Sequence, residues 1–376
     1  MDFGISLRSN CKKKSSRMKK KIGIDARLLF QTGVGTYLQN LLHFLPEYIS
    51  PKNSYYIYCL PKDKDAISSF SPLFIPRPSP FLWHTIDEQI GFLSALQKDN
   101  LDLMHFTYFG HPILYPRPFI STIHDLTPLL FKTGRASTNK IAYLIKKISF
   151  NAVFHNQLFK SRAIITPTMV VKEQLVQLFG QEWEKKIYHI NEGLSYKFLG
   201  EKNASEDNKK NYYLYVGNMY PHKNVKSLTE AFHKSGSSNK LIIAGPDDYF
   251  TKLLKNSLSG NEKEKIVFET GGTLPKLQSL YKGAQALVHP SLSEGFGLPI
   301  IEAAHYDLPI IASDIPVFRE LLGTSYYSFD PYAVTSIISA IHQFEKDAIK
   351  KKPVLRQKYS FEHMAEQTHK LYEKFA

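Results

Sequence analysis

The segment His289-Pro290-Ser291-Leu292-Ser293-Glu294-Gly295-Phe296-Gly297-Leu298-Pro299-Ile300-Ile301-Glu302-Ala303-Ala304 sets the frame for the whole chain. It follows the apolar run Ala286-Leu287-Val288, which reads as a buried strand. Pro299 suits the first turn of a helix, where a missing backbone N–H costs nothing. Glu294 precedes the Gly-x-Gly turn and so falls on a loop, whereas Glu302 is expected in the helix's opening turn. The helix start offers backbone N–H groups to an anion, with one carboxylate in front and one behind. A ligand with phosphates and hydroxyls fits: N–H groups take the phosphate, carboxylates the hydroxyls.

The 376 residues exceed one ordinary domain and point to two. No apolar run approaches the roughly 20 residues of a membrane-spanning helix, so a soluble or peripheral protein is expected. The two cysteines, Cys11 and Cys59, form no disulfide or metal pattern and suit a reducing compartment, the cytoplasm by default. A net charge of +14 implies attraction to anions. Part of it lies in Arg8, Lys12, Lys13, Lys14, Arg17, Lys19, Lys20 and Lys21, ahead of the first strand. Residues 1–20 therefore read as a basic, disordered tail, with a lipid anchor as the alternative. No apolar stretch follows them, so a cleaved signal peptide is not expected, and Met18 reads as a natural start.

Short apolar runs alternate with helical patterns. In the N-terminal half, Lys21 to Asp25, Tyr55 to Leu60, Leu101 to Phe106, Phe119 to Ile123 and Ala163 to Thr166 read as strands. Helical patterns span about Thr36 to Leu45, Lys140 to Lys160 and Val170 to Leu178. The polar run Asn203 to Asn211 interrupts the pattern and reads as the end of a connection. Five more strands are expected at Tyr212 to Val216, Lys240 to Ala244, Lys265 to Phe268, Ala286 to Val288 and Pro309 to Ala312. Helices near Val225 to His233, Leu277 to Ala284 and Pro299 to His305 separate them. The expected class is α/β, with two Rossmann-like parallel-sheet domains, 21–195 and 212–354, joined by a linker at 196–211. They face each other across a deep cleft, where strand carboxyl ends would bind the ligand.

Gly33-Val34-Gly35-Thr36-Tyr37 follows the first strand. It is no dinucleotide fingerprint, since Leu38 replaces the third glycine and the second strand ends without an acid for a ribose. A glycine loop approaching a phosphate and a plain tight turn both fit these residues. His124 ends a strand and is expected to face the cleft, where it could bond a hydroxyl or move a proton; a histidine held by a loop carbonyl is the alternative. His233 and His305 fall inside helical patterns. Lys223, in Gly217-Asn218-Met219-Tyr220-Pro221-His222-Lys223-Asn224, stands near a helix start as a point charge for a diphosphate. No metal constellation appears, and Asp63-Lys64-Asp65 reads as a solvated loop and Asp247-Asp248 as loop capping. Aromatic residues lie mainly in apolar runs, so nucleic acid is not an expected partner.

Ser293 to Pro299 with Glu302 resembles the Glu-x7-Glu motif of retaining glycosyltransferase family 4, a group with the GT-B fold. The resemblance continues, in matching order, through Ile24-Asp25-Ala26-Arg27, Gly33 to Tyr37, Ile123-His124-Asp125, Ile165-Thr166-Pro167-Thr168, Gly217 to Asn224 and Ile243-Ala244-Gly245-Pro246. It is nearest to mannosyl- or rhamnosyltransferase-like members of bacterial polysaccharide pathways. It implies that Glu294 holds the donor sugar's hydroxyls and Glu302 the nucleotide ribose. Phe296, Gly297 and Leu298 would offer backbone N–H groups to the phosphates or the sugar. Lys223 would neutralise the departing diphosphate, aided by Gly33 and Gly35 across the cleft, and His124 would bond the transferred sugar. Thr273 and Leu274 would lie beside the base. Asn218 stands where many members carry an arginine for the diphosphate; His222 or Arg27 are the candidates to compensate. The last helix, within 355–376, would cross back onto the first domain.

The expected activity is sugar transfer from a nucleotide-diphosphate donor to a hydroxyl of a saccharide or lipid-linked acceptor, with retention at the anomeric carbon. No cofactor and no metal is expected, and the basic surface suits contact with an anionic membrane at its inner face. A catalytically silent binding scaffold and a phosphorylase- or epimerase-like enzyme on the same fold are the alternatives.

Overall fold

The computed structural model describes residues 19–50, 53–130, 140–200, 211–355 and 359–376. Most of the basic tail, Cys11 and nearly all of the polar run Asn203 to Asn211 lie outside them. Seven parallel strands form the first sheet: β1 (Lys21–Asp25), β2 (Ser54–Cys59), β3 (Phe74–Pro78), β4 (Leu103–Phe106), β5 (Phe119–Thr122), β6 (Ile164–Thr166) and β7 (Ile187–His189), in the order β3-β2-β1-β4-β5-β6-β7. Six more form the second: β8 (Tyr212–Val216), β9 (Lys240–Gly245), β10 (Ile266–Thr270), β11 (Ala286–His289), β12 (Ile310–Ser313) and β13 (Tyr327–Phe329), in the order β10-β9-β8-β11-β12-β13. Apolar strand residues explain the parallel pairing, because crossover helices cover both faces of each sheet. Ile22 and Ile24 of β1, and Leu214 and Val288 of the second sheet, are fully buried.

Three strands were not expected from the sequence: β3, β7 and β13. All three lie at sheet edges. β3 contains two prolines, Pro76 and Pro78, which an edge tolerates because one side of the strand needs no N–H donors. β7 and β13 are three residues each, too short to show a period.

Asp63-Lys64-Asp65 is not a solvated loop. Asp63 is buried at the end of a 3-10 turn and Lys64 and Asp65 open the helix Lys64–Phe70, because Pro61 fixes the turn that starts it. Asp248, by contrast, caps the helix Tyr249–Ser257 by accepting from Thr251 N at 2.9 Å.

The helix Phe361–Phe375 packs Phe361, Met364, Ala365, Leu371 and Tyr372 into the core of the first sheet's domain. There Tyr372 Oη lies 2.7 Å from His105 Nδ1. In each sheet the strand order reverses beside the first strand, between β1 and β4 and between β8 and β11. Loops leaving the carboxyl ends at such points diverge and leave a crevice.

The two domains meet at close quarters. Thr168 Oγ1 donates to Gly295 O at 2.9 Å. The amides of Met169 and Val170 donate to the two carboxylate oxygens of Glu320, at 3.0 and 2.9 Å. Those amides open the helix Met169–Phe179, and a carboxylate there also complements the helix dipole. No helix among the described residues is long and apolar enough to cross a membrane.

Candidate active site

The crevices of the two sheets join in one cleft of about 660 Å³, a volume typical of small-molecule sites. The first domain contributes Gly33, Val34, Tyr108, His124, Asp125 and Glu192. The second contributes Asn218, Lys223, the Glu294–Pro299 turn, Glu302 and a wall made of Gly271, Gly272, Lys276 and Leu277.

Glu294 is the best-anchored side chain in the cleft. Lys223 Nζ lies 2.7 and 2.8 Å from its two oxygens. His289 Nε2 and Ser291 Oγ approach Oε1 at 3.0 and 2.7 Å. Burial alone would push this carboxyl up, yet Lys223 and His289 hold it well below the usual carboxylate range. Lys223 is delivered by the turn Pro221–Lys223, which leaves β8 and ends at Asn224 in the left-handed region, φ 56°. The ion pair is mostly shielded, with 18% of the lysine and 9% of the glutamate side chain exposed, so it is stronger than a surface pair.

Gly297 caps the helix Leu298–His305 with φ +103°, a conformation that suits only glycine. Glu302 is the fifth residue of that helix, just past the opening turn where it was expected, because the helix begins at Leu298, one residue before Pro299. Tyr281 Oη donates to Glu302 Oε2 at 2.6 Å. Burial pushes the Glu302 carboxyl up to about 7, with the tyrosine bond acting against it. This carboxyl holds its proton in the fold after an unfolded chain has lost it. Its stabilising contribution is therefore complete below the ordinary carboxyl range and lost as pH rises through about 7. A ligand whose hydroxyls donate to Glu302 favours the ionised form, so binding should release a proton below neutrality. Calorimetry in buffers of different ionisation enthalpy, between about pH 6 and 8, should show the affinity of such a ligand rising with pH. A pH-independent affinity without proton release would exclude Glu302 from the hydroxyl contact.

His124 is held on both sides. Its Nε2 lies 2.9 Å from Thr107 O and its Nδ1 2.9 Å from Glu192 Oε1. Tyr37 meets the ring edge-on, with centroids 4.8 Å apart. Burial disfavours its charge, but the bond and charge of Glu192 outweigh that and raise its pKa. Asp125 beside it is also raised, by burial.

Several expected site residues sit elsewhere. Gly33 lines the cleft as expected, but from the first turn of the helix Thr32–Phe44 and not from a loop, and Gly35 in the same turn packs on the Leu29 carbonyl instead of lining the cleft. Thr273 and Leu274 start the helix Leu274–Gly283 and do not line the cleft; Gly271, Gly272, Lys276 and Leu277 occupy that wall. Asn218 does line it, its carbonyl accepting from Tyr215 Oη at 2.6 Å. Neither candidate to replace the missing arginine is available. Arg27 is buried between Asp25 and Glu88, at 2.7 and 2.8 Å, with Phe92 against its guanidinium. Burial lowers the pKa of His222 to about 4, so it carries no charge at neutral pH.

The sequence reading missed Glu192, His289 and Ser291. Glu192 follows β7, and a strand of three residues gave no signal that an acid stood at a strand end. Among the described residues, no three His, Cys, Asp or Glu side chains gather as a metal ion would need.

Residues 200–360 match the family model described as glycosyl transferases group 1. The chain is 29% identical to the O-antigen chain mannosyltransferase RfbU of Salmonella typhimurium over 77% of its own length and 78% of that protein. In fold it is similar to a sucrose-phosphate synthase from Thermosynechococcus elongatus, with a TM-score of 0.74, 17% identity, and 95% and 99% of the two chains covered. It is also similar to Anabaena Alr3699/HepE, a structure in complex with UDP and glucose, with a TM-score of 0.72, 13% identity, and 94% and 100% covered.

Proposed function

This chain is a GT-B glycosyltransferase with a glycosyl transferases group 1 domain over residues 200–360, and we propose that it transfers mannose from a nucleotide-diphosphate donor to a hydroxyl of a saccharide or lipid-linked acceptor. The observation that carries this reading is the shielded Lys223–Glu294 pair beside the start of the helix Leu298–His305. It sets a cation, a carboxylate and helix-start amides together, the groups that a diphosphate joined to a polyol needs. In this reading Glu294 holds sugar hydroxyls, Glu302 the ribose, and the amides of Gly297 and Leu298 the phosphates. The base lies against Gly271, Gly272 and Leu277. Lys223 passes from Glu294 to the diphosphate as the donor enters.

We propose retention of configuration. The bond between the anomeric carbon and the diphosphate oxygen breaks, and the acceptor oxygen bonds the same face. The acceptor's proton passes to the leaving diphosphate. Glu294 accepts from three side chains already, which suits a holding role better than attack on the sugar. No metal is needed in this scheme, because Lys223 and the helix start meet the diphosphate charge. Sugar donors based on GDP, UDP, dTDP and ADP provide the test. One should raise the melting temperature and support transfer that a chelator leaves intact. Binding of a donor without transfer to any acceptor would identify a silent scaffold.

Contact with an anionic membrane is part of the same proposal. Residues 126–172 contain eight Lys and Arg and no Asp or Glu. Within them the helix Lys140–Lys160 exposes Leu144 and Ile148, one turn apart, beside the exposed Lys147. A basic helix with an apolar outer stripe suits an acidic lipid surface. Sedimentation with vesicles of phosphatidylglycerol and phosphatidylcholine should show binding that salt weakens. The double change Leu144→Glu and Ile148→Glu should abolish it while sparing transfer to a soluble acceptor. Equal binding to pure phosphatidylcholine would contradict the role of charge.

A further inference from the structure

Each domain brings a shielded ion pair to the cleft. Lys223 is matched by Glu294 on the second domain, and His124 by Glu192 on the first. The second pair has no role in the transfer scheme above, although both its members line the cleft.

The bonds of His124 define its protonation. A backbone carbonyl only accepts, so the Nε2 facing Thr107 O carries a hydrogen. An ionised carboxylate also only accepts, so beside an ionised Glu192 the Nδ1 facing Oε1 carries another. The ring is then an imidazolium clamped at both ends and braced edge-on by Tyr37. The titratable groups around it are Glu192, Asp125, Tyr37 and His105. Burial lowers His105 to about 3, so it stays neutral, and burial keeps Tyr37 protonated. Glu192 is thus the carboxylate bonded to the ring, and Asp125 adds a weaker field.

We infer that Glu192 is the positioning residue for His124: with the Thr107 carbonyl it fixes the imidazole plane and keeps both ring nitrogens protonated. His124 then enters the reaction as a fixed cation and not as a proton acceptor. This inference rests on the transfer reading for its kinetic consequence, but not for its structural one.

Glu192→Gln isolates the charge. The amide keeps the side chain's shape and can donate to Nδ1, so the ring stays in place as a neutral tautomer. Without the carboxylate, burial dominates and the ring's pKa falls. The variant should lose roughly tenfold or more in kcat at about pH 8, with a deficit that narrows only as pH is lowered far enough for the ring to regain its proton. Wild type should show no such loss over that range, and Glu192→Asp should recover part of the activity. Histidine ring-nitrogen NMR, with His124→Gln to assign the signals, gives a readout independent of turnover. It should show both nitrogens of His124 protonated at neutral pH in wild type and one in Glu192→Gln. Parallel pH–rate profiles, or a neutral His124 in wild type, would overturn the inference. A wild type inactive with every donor but showing the imidazolium would overturn the transfer reading alone.

Discussion

Lys223→Ala should lower kcat about 100- to 1000-fold, the loss expected when a preorganised charge facing a developing anion is removed. Two effects combine in that variant. The leaving diphosphate loses its nearest cation, and Glu294 loses the partner that touches both of its oxygens. A carboxylate this well shielded and left without its cation costs about 3 to 5 kcal/mol. Lys223→Ala should therefore also melt earlier. Adding Glu294→Gln should recover most of that stability, because no buried charge is then left unpaired, while transfer stays low. Activity and stability thus separate in the double variant. Near-normal kcat in Lys223→Ala would mean that the diphosphate is stabilised elsewhere.

Gly295→Ala should reduce kcat/KM by about 100-fold with little change in melting temperature. A β-carbon at Gly295 would lie 1.8 Å from the His124 carbonyl oxygen and 2.7 Å from its carbon. Both obstacles are backbone, so no side-chain rotation relieves the clash. Residue 295 belongs to the second domain and residue 124 to the first, so the cheapest response is a shift between domains, leaving each core intact. Such a shift would separate His124 and Glu192 from the Glu294–Leu298 turn and break the Thr168–Gly295 bond. Gly260→Ala is the matched control, since a β-carbon there meets nothing within 4 Å. A fully active Gly295→Ala would show that the domains need not meet here for turnover.

The central strands were legible because continuous apolar runs such as Tyr212 to Val216 mark strands buried on both faces. Three of the four edge strands were not, since an edge accepts prolines and very short segments, as β3 and β7 show, whereas the longer edge strand β10 was. The same difference governs the site. The Glu294–Glu302 segment carries its chemistry in consecutive residues, so its turn and helix start could be read directly. Contacts between distant segments left no local trace: Lys223 on Glu294, Glu192 on His124, and Glu88 diverting Arg27 from the cleft. Glu302 was placed one residue too near the helix start because Pro299, the second residue of its helix, marks the start only to within a residue or so. The wall expected at Thr273 and Leu274 is formed by their neighbours for a similar reason. Thr273 begins a helix and turns away, while the two preceding glycines stay in the cleft.

Proton NMR of a running transfer reaction tests the proposed chemistry most directly, because it follows the donor's anomeric proton, the product's and the released nucleotide together. A mannosyl donor should disappear as nucleoside diphosphate and mannoside form in equal amounts, with the first product in the donor's own anomeric configuration. A product of inverted configuration would contradict front-face transfer assisted by Lys223. A donor that binds, yet passes no sugar to any acceptor, would contradict the transfer itself.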